Sequence, residues 1–321
     1  MPTVYPIQTG SAFDVTPEYS GNFIPAIWSG KLQEKFYAAS TFADIANTDW
    51  EGDIKGMGDT VYINTIPTVQ INDYKVGMTL VYQVPTSGKL SLQINQGKYF
   101  GLQCNDVLEY QAKPNLMDMF TNDAGEQLKV VIDRDNWLAT FNGGAAANMG
   151  SAAGAISGAY NLGTDAAPVT LSGANILQVI TSMSSTLDEQ NVPESDRWLV
   201  LTPYDRQMLM ASPLAQAQFM GDPTSIIRNG KIGTIDRFTV YVSNLTPHGA
   251  AGFNFDGTVN AGAVKRHCII AGHKSALSFA SQIAKTENLP NPTDFGQLVR
   301  GLNIYGRMVS KPESLTTAIV N

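Results

Sequence analysis

Few residues in this chain are suited by type and spacing to chemistry. His267, Cys268 and His273 stand close together, and imidazole and thiolate are the side chains that hold zinc and related ions. If they share a strand, however, His267 and Cys268 point to opposite faces and cannot grip one ion. Asp133 and Asp135 form a carboxylate pair of the kind used in acid–base catalysis. At i and i+2 on a helix they point apart, and the expectation is a solvated helix face. The run Gly301-Leu302-Asn303-Ile304-Tyr305-Gly306 has the glycines of a phosphate loop but no helix after it, so its glycines are expected to mark bends in a strand. The patterns G-x-x-x-x-G-K-[ST], H-E-x-x-H, G-x-S-x-G and C-x-x-C are absent. No catalytic, cofactor-binding or metal-ligating residue is assigned, and the chain is not expected to be an enzyme.

The carboxylate pair lies on the most legible element, a helix over Asn115–Asn142 that serves as a spine. At 3.6 residues per turn Leu116, Met117, Phe120, Ala124, Leu128, Val131 and Leu138 share one face, predicted to be buried. Asp118, Asn122, Glu126, Lys129, Asp133 and Asn136 fall opposite, towards water. Met119, Val130, Trp137 and Phe141 form a flanking stripe, expected to widen the core face, with a contact to another subunit as the alternative. Asn115 is a candidate N-cap, and Gly143-Gly144 a candidate left-handed stop.

Residues 1–24 lack sustained periodicity and read as an arm, followed by a short amphipathic helix opened by Pro25. Alternation over Asp59–Ile71 and Lys89–Gln103 predicts two long strands flanking a hairpin end at Asp73–Gly88, with nothing nearby in sequence to cover the ribbon. The Gly/Ala/Ser-rich stretch Gly143–Ala167 reads as a flexible crossing. Beyond it a helix near Ser172–Leu187, a strand at Trp198–Leu201, a helix at Tyr204–Ala211 and strands at Phe238–Val242 and Cys268–Ala271 predict a small α+β domain. The loop Thr246–Ala263 is expected at the surface. Strands Ala276–Lys285 and Leu298–Val309, a proline-rich tip at Leu289–Pro292 and a last segment Leu315–Val320 are expected to return to the spine.

A chain of 321 residues with 43% hydrophobic content can bury a core, and its length suggests two domains or one elaborated one. The net charge of −7 disfavours a general nucleic-acid binder. The start has no secretory pattern and no apolar run is long enough to span a membrane, so synthesis and retention in cytosol are expected. Cys104 and Cys268 are expected as buried free thiols.

The blocks Ile27–Pro67, Leu187–Leu201, Arg228–Asn244 and Phe295–Leu315, with this order of elements, resemble the major capsid proteins of tailed bacteriophages. The resemblance implies the α+β Hong Kong 97 fold: N-arm and short helix over 1–51, an extended E-loop over 52–105 and a P-domain spine and linker over 106–163. An inserted A-domain would span 164–272, and returning P-domain strands with their loop 273–321. It implies a shell subunit assembling as pentamers and hexamers around weakly contacted double-stranded DNA, with a portal protein, a separate scaffolding protein, no membrane and no cofactor. The shell would assemble in the host bacterial cytoplasm and reside in the virion. Tyr74, Lys75, Val76, Met78, Tyr82, Asn291 and Pro292 are the expected contacts between subunits. A few relatives join subunits through Lys–Asn isopeptide bonds; Lys75 and Asn291 are the positions such a reading would use, and no motif fixes the pairing. An encapsulin-like cargo compartment and a tail or receptor-binding adhesin are the alternatives.

Overall fold

The structure is a computed structural model that describes residues 40–49, 60–67, 69–105, 116–212, 233–250, 254–255, 264–292 and 296–321. The expected arm, most of the helix opened by Pro25, the cap at Asn115 and most of the loop Thr246–Ala263 lie outside these residues. The spine helix, α2, runs Leu116–Thr140, 25 residues, about 38 Å at 1.5 Å per residue.

Its buried face follows the apolar spacing only in part: Leu128 and Leu138 pack at the edge of the core. Phe120 and Val131 are 44% and 48% exposed, whereas Ile132, Asp133, Asn136, Trp137, Thr140 and Phe141 are buried. Polar side chains turn inwards because the core supplies partners for them. Asp133 accepts the backbone N–H groups of Thr41 (3.0 Å) and Phe42 (2.9 Å), and so caps the short helix α1, Phe42–Ile45. Burial raises the Asp133 pKa above the ordinary carboxylate range, and the two backbone hydrogen bonds oppose it. Asp135 accepts from Tyr305 Oη and from Arg307 Nη1 (2.7 Å), which also reaches Asn136 Oδ1 (3.2 Å). Burial raises Asp135, but these bonds and the neighbouring cations outweigh it and hold the carboxyl below its usual range. The pair predicted to be solvated instead fastens the spine to what it packs on.

Two sheets flank the spine. The larger contains β3 (Arg197–Leu201), β4 (Thr234–Ile235), β5 (Phe238–Val242), β6 (His248–Gly249), β7 (Arg266–His273) and β10 (Leu315–Val320). The strand order is β10-β7-β3-β5-β4, with β6 also on β7, and β3 and β5 are parallel. The continuous apolar runs of β3 and β7 follow from burial on both faces. On one face Leu199 and Ile269 meet Ile176, Ile180, Met183 and Leu187 of α3 (Ile176–Glu189), the periodicity predicted for that helix. On the other, Trp198, Val200 and Ile270 meet Phe42 and Trp137. The Trp137 ring lies edge-on to Phe42 at 5.0 Å and to Trp198 at 5.9 Å. Leu315–Val320, grouped by sequence with the returning P-domain strands, forms the edge of this sheet by pairing with β7.

The Gly/Ala/Ser-rich stretch is not a free crossing. Ala153 and Leu162 are fully buried, and Asn148 donates from Nδ2 to the carbonyls of Glu313 (2.7 Å) and Leu315 (3.1 Å). Glu189 accepts the N–H groups of Ile156 (2.7 Å) and Ser157 (3.1 Å). The Ile156 N–H comes first among the influences that lower its pKa, followed by the Ser157 side chain. Gly143 and Gly144 do not adopt the expected left-handed stop. Their need for glycine is steric: a Cβ would stand 2.5 Å from Val309 Cγ2 and 2.8 Å from the Leu315 carbonyl.

The second sheet has the order β1-β2-β9-β8, with β1 Thr60–Asn64, β2 Lys89–Asn105, β8 Leu277–Pro290 and β9 Gly296–Val309, all antiparallel. The expected two-stranded ribbon therefore holds only at its outer end. From Ile94 onwards β2 pairs with β9, which closes one open edge. A bulge between Ile94 and Gln96 lies opposite Gly306, where a Cβ would meet the Gln93 carbonyl at 2.6 Å.

Candidate assembly surface

The described residues between Thr65 and Gly88 project beyond the paired strands. Thr65 donates its N–H (2.9 Å) and hydroxyl (3.0 Å) to the Gly88 carbonyl and closes the base. Midway, the Gln70 N–H donates to Gln83 Oε1 and Gln83 Nε2 to Gln70 Oε1, both at 3.0 Å. At the tip the Met78 N–H donates to the Lys75 carbonyl (3.1 Å), with Gly77 at φ +89° as the turn's third residue. A type II turn requires that conformation, and glycine adopts it freely.

Between these fastenings many of the side chains are apolar and open to solvent. Val76 is 94% exposed, and Ile66, Ile71, Tyr74, Tyr82 and Val84 are exposed as well. A projection this narrow has no interior, so its valines, isoleucines and tyrosines are not buried by their own chain. Tyr74, Lys75, Val76, Met78 and Tyr82 thus lie together on one exposed element.

Asn291 and Pro292 do not join them. They follow β8 at its turn into β9, where Asn105 pairs with Gly296, while Lys89 at the other end of β2 pairs with Asn64. The length of β2 separates the two groups, roughly 50 Å at about 3.3 Å per residue. Lys75 and Asn291 do not meet within one chain.

The outward face of the spine supplies a second apolar surface. Phe120, Ala124, Val131 and the open side of Leu128, which also packs on the core, face Tyr99, Phe100 and Leu102 of β2 across an open groove of about 450 Å³. Lys98, Asp123 and Gln127 add polar groups to its lining. Sequence reading placed these spine residues in the core. The signal that separates the faces is Trp137 with Asp133, Asn136 and Thr140, since a tryptophan flanked by short hydrogen-bonding side chains marks a face with fixed partners.

No family model and no curated protein matches the chain. Solved structures do. A chain of Mycobacterium phage Che8 is 24% identical with a TM-score of 0.70, the match covering 94% of this chain and 97% of that one. The capsid structure of Cyanophage P-SCSP1u gives 14% identity and a TM-score of 0.68, covering 96% and 99%. The mature capsid of bacteriophage PhiM1 gives 15% identity and a TM-score of 0.65, covering 96% and 97%. Nearly end to end, with spine, two sheets and projecting loop in place, this chain has the α+β fold of the chains that build those phage capsids.

Proposed function

We propose that the chain is the major capsid protein of a tailed bacteriophage, a Hong Kong 97-type subunit that assembles into an icosahedral shell around double-stranded DNA. The observation that carries this reading is the near-complete mutual coverage with capsid chains. The exposed apolar loop supports it, because a shell supplies the cover that a lone subunit lacks. Tyr74, Lys75, Val76, Met78 and Tyr82 pack on a neighbouring subunit, for which the spine groove at Phe120 and Val131 is a suitable receiving surface. Asn291 and Pro292 make a separate contact from the far end of the same sheet. Each contact is modest, and closed symmetry repeats it around every axis. The acidic chain encloses DNA without sequence-specific grip. Pentamers and hexamers, a separate scaffolding protein and a portal complete the assembly, which forms in the host cytoplasm. Electron microscopy of the chain expressed with its scaffolding partner tests the reading: closed icosahedral particles are expected, and a stable oligomer that never closes would overturn it.

A further inference from the structure

We propose that His248 and His267 form a two-histidine site for a divalent transition-metal ion of the zinc, nickel or copper class. The two residues oppose each other in the β6–β7 pairing. The Cys268 N–H donates to the Pro247 carbonyl (3.1 Å), one position away on each strand, which makes His248–His267 a non-hydrogen-bonded pair. Side chains of such a pair leave the same face with Cβ atoms about 4.5 to 5.5 Å apart. His267 shares that face with Ile269, which packs towards α3.

Each ring has one nitrogen committed and one left over. His267 Nε2 lies 2.6 Å from Asp205 Oδ1, and His248 Nδ1 lies 3.2 Å from the Thr246 carbonyl. A carboxylate and a carbonyl only accept, so these nitrogens carry the protons. With those protons in place, His267 Nδ1 and His248 Nε2 are the nitrogens left to offer a lone pair to an ion. Metal-ligating histidines are typically oriented this way, with the second nitrogen donating to a carboxylate or backbone carbonyl.

Asp205 is fully buried and fixed in turn. Its Oδ2 accepts from the Thr202 N–H (3.0 Å) and hydroxyl (2.8 Å) at the start of α4, Pro203–Met210. Tyr204 stands edge-on to His267 at 6.0 Å. His248 is exposed and the His267 side chain is 14% exposed, so an ion reaches the pair from solvent. Among the described residues no group of three His, Cys, Asp or Glu side chains is placed to hold an ion. Two imidazoles and water therefore make up the ligand set, which favours zinc, nickel or copper over calcium or magnesium. His267 and Cys268 do lie on opposite faces of one strand, as sequence reading expects, and the second ligand comes from across the sheet.

The test is titration of the full chain with Zn²⁺ by calorimetry and with Cu²⁺ by electron paramagnetic resonance, with circular dichroism as the fold check. One ion with two coordinated nitrogens is expected. His248→Ala, at an exposed position, should lower affinity at least about tenfold and leave a one-nitrogen spectrum. Asp205→Asn turns an amide donor towards Nε2, moves the proton to Nδ1 and should lower affinity about 10- to 100-fold. His273→Ala should change nothing. Wild-type affinity and an unchanged spectrum in His248→Ala would overturn the proposal, whether or not Asp205→Asn folds.

Discussion

Replacing Trp137 by alanine tests which face of the spine is buried. Trp137 is fully buried, with its ring against Phe42 and Trp198 where the spine meets the larger sheet. Truncating such a side chain costs about 3 to 5 kcal/mol, because the cavity it leaves relaxes only in part. Val131, which apolar spacing places in the core, is half exposed. Burying a whole valine contributes about 1.5 to 3 kcal/mol, so losing two methyl groups from a half-exposed one should cost under about 1 kcal/mol. With a urea m-value of about 3 kcal/mol per molar, Trp137→Ala should lower the midpoint by about 1 to 1.7 M and Val131→Ala by under about 0.3 M. Far-UV circular dichroism on unassembled protein reads both without relying on tryptophan emission. A Val131→Ala shift equal to or larger than that of Trp137→Ala would refute the packing described above.

The carboxylates should respond to pH with opposite signs. The folded pKa of Asp133 is raised, so the native state binds the extra proton between the ordinary and the folded value. Its contribution to stability therefore falls as pH rises through that window, and Asp133→Asn should remove this slope from midpoints measured at several pH values. The folded pKa of Glu189 is lowered, so its hold on Ile156 and Ser157 is present above the ordinary glutamate value and is lost as pH falls through the folded one. Amide exchange in residues 154–158 should accelerate on acidification in the wild type and be fast at all pH values in Glu189→Ala. Gly163 has φ +78°, and a Cβ there would stand 2.2 Å from the Ile319 carbonyl. Gly163→Ala should cost on the order of 1 to 3 kcal/mol and lower protection of β10, as thermal melts and exchange would report.

Where hydrophobic contacts alone decide an element, the sequence was readable. The faces of α3 and the runs in β3, β5 and β7 follow from periodicity, because their partners are apolar and plentiful. Where polar partners decide, it was not. The inward turn of Asp133 and Asn136 depends on the amides of Thr41 and Phe42 and on Arg307, distant in sequence and invisible to a helical wheel. The 143–167 stretch looked free for the same reason, since Asn148 and Glu189 hold much of it through polar bonds and Ala153 and Leu162 are its buried hydrophobic side chains. At the candidate surface, the projecting loop was legible because its apolar residues have no local cover. The spine groove was not, because an exposed apolar stripe and a buried one have the same pattern.

The shell claim is tested most directly by replacing residues 67–86 with a short Gly-Ser turn. This removes Tyr74, Val76 and Tyr82 and keeps the Thr65–Gly88 hydrogen bonds and all four strands of the sheet. Wild type and variant, each expressed with the scaffolding partner, would be compared by sedimentation and cryo-electron microscopy, with circular dichroism confirming the fold. Closed shells from the wild type and folded monomers or small oligomers from the variant are the expected result. Variant shells as numerous and as stable as those of the wild type would contradict the assigned role of the loop, and a wild type that forms none would contradict the shell itself.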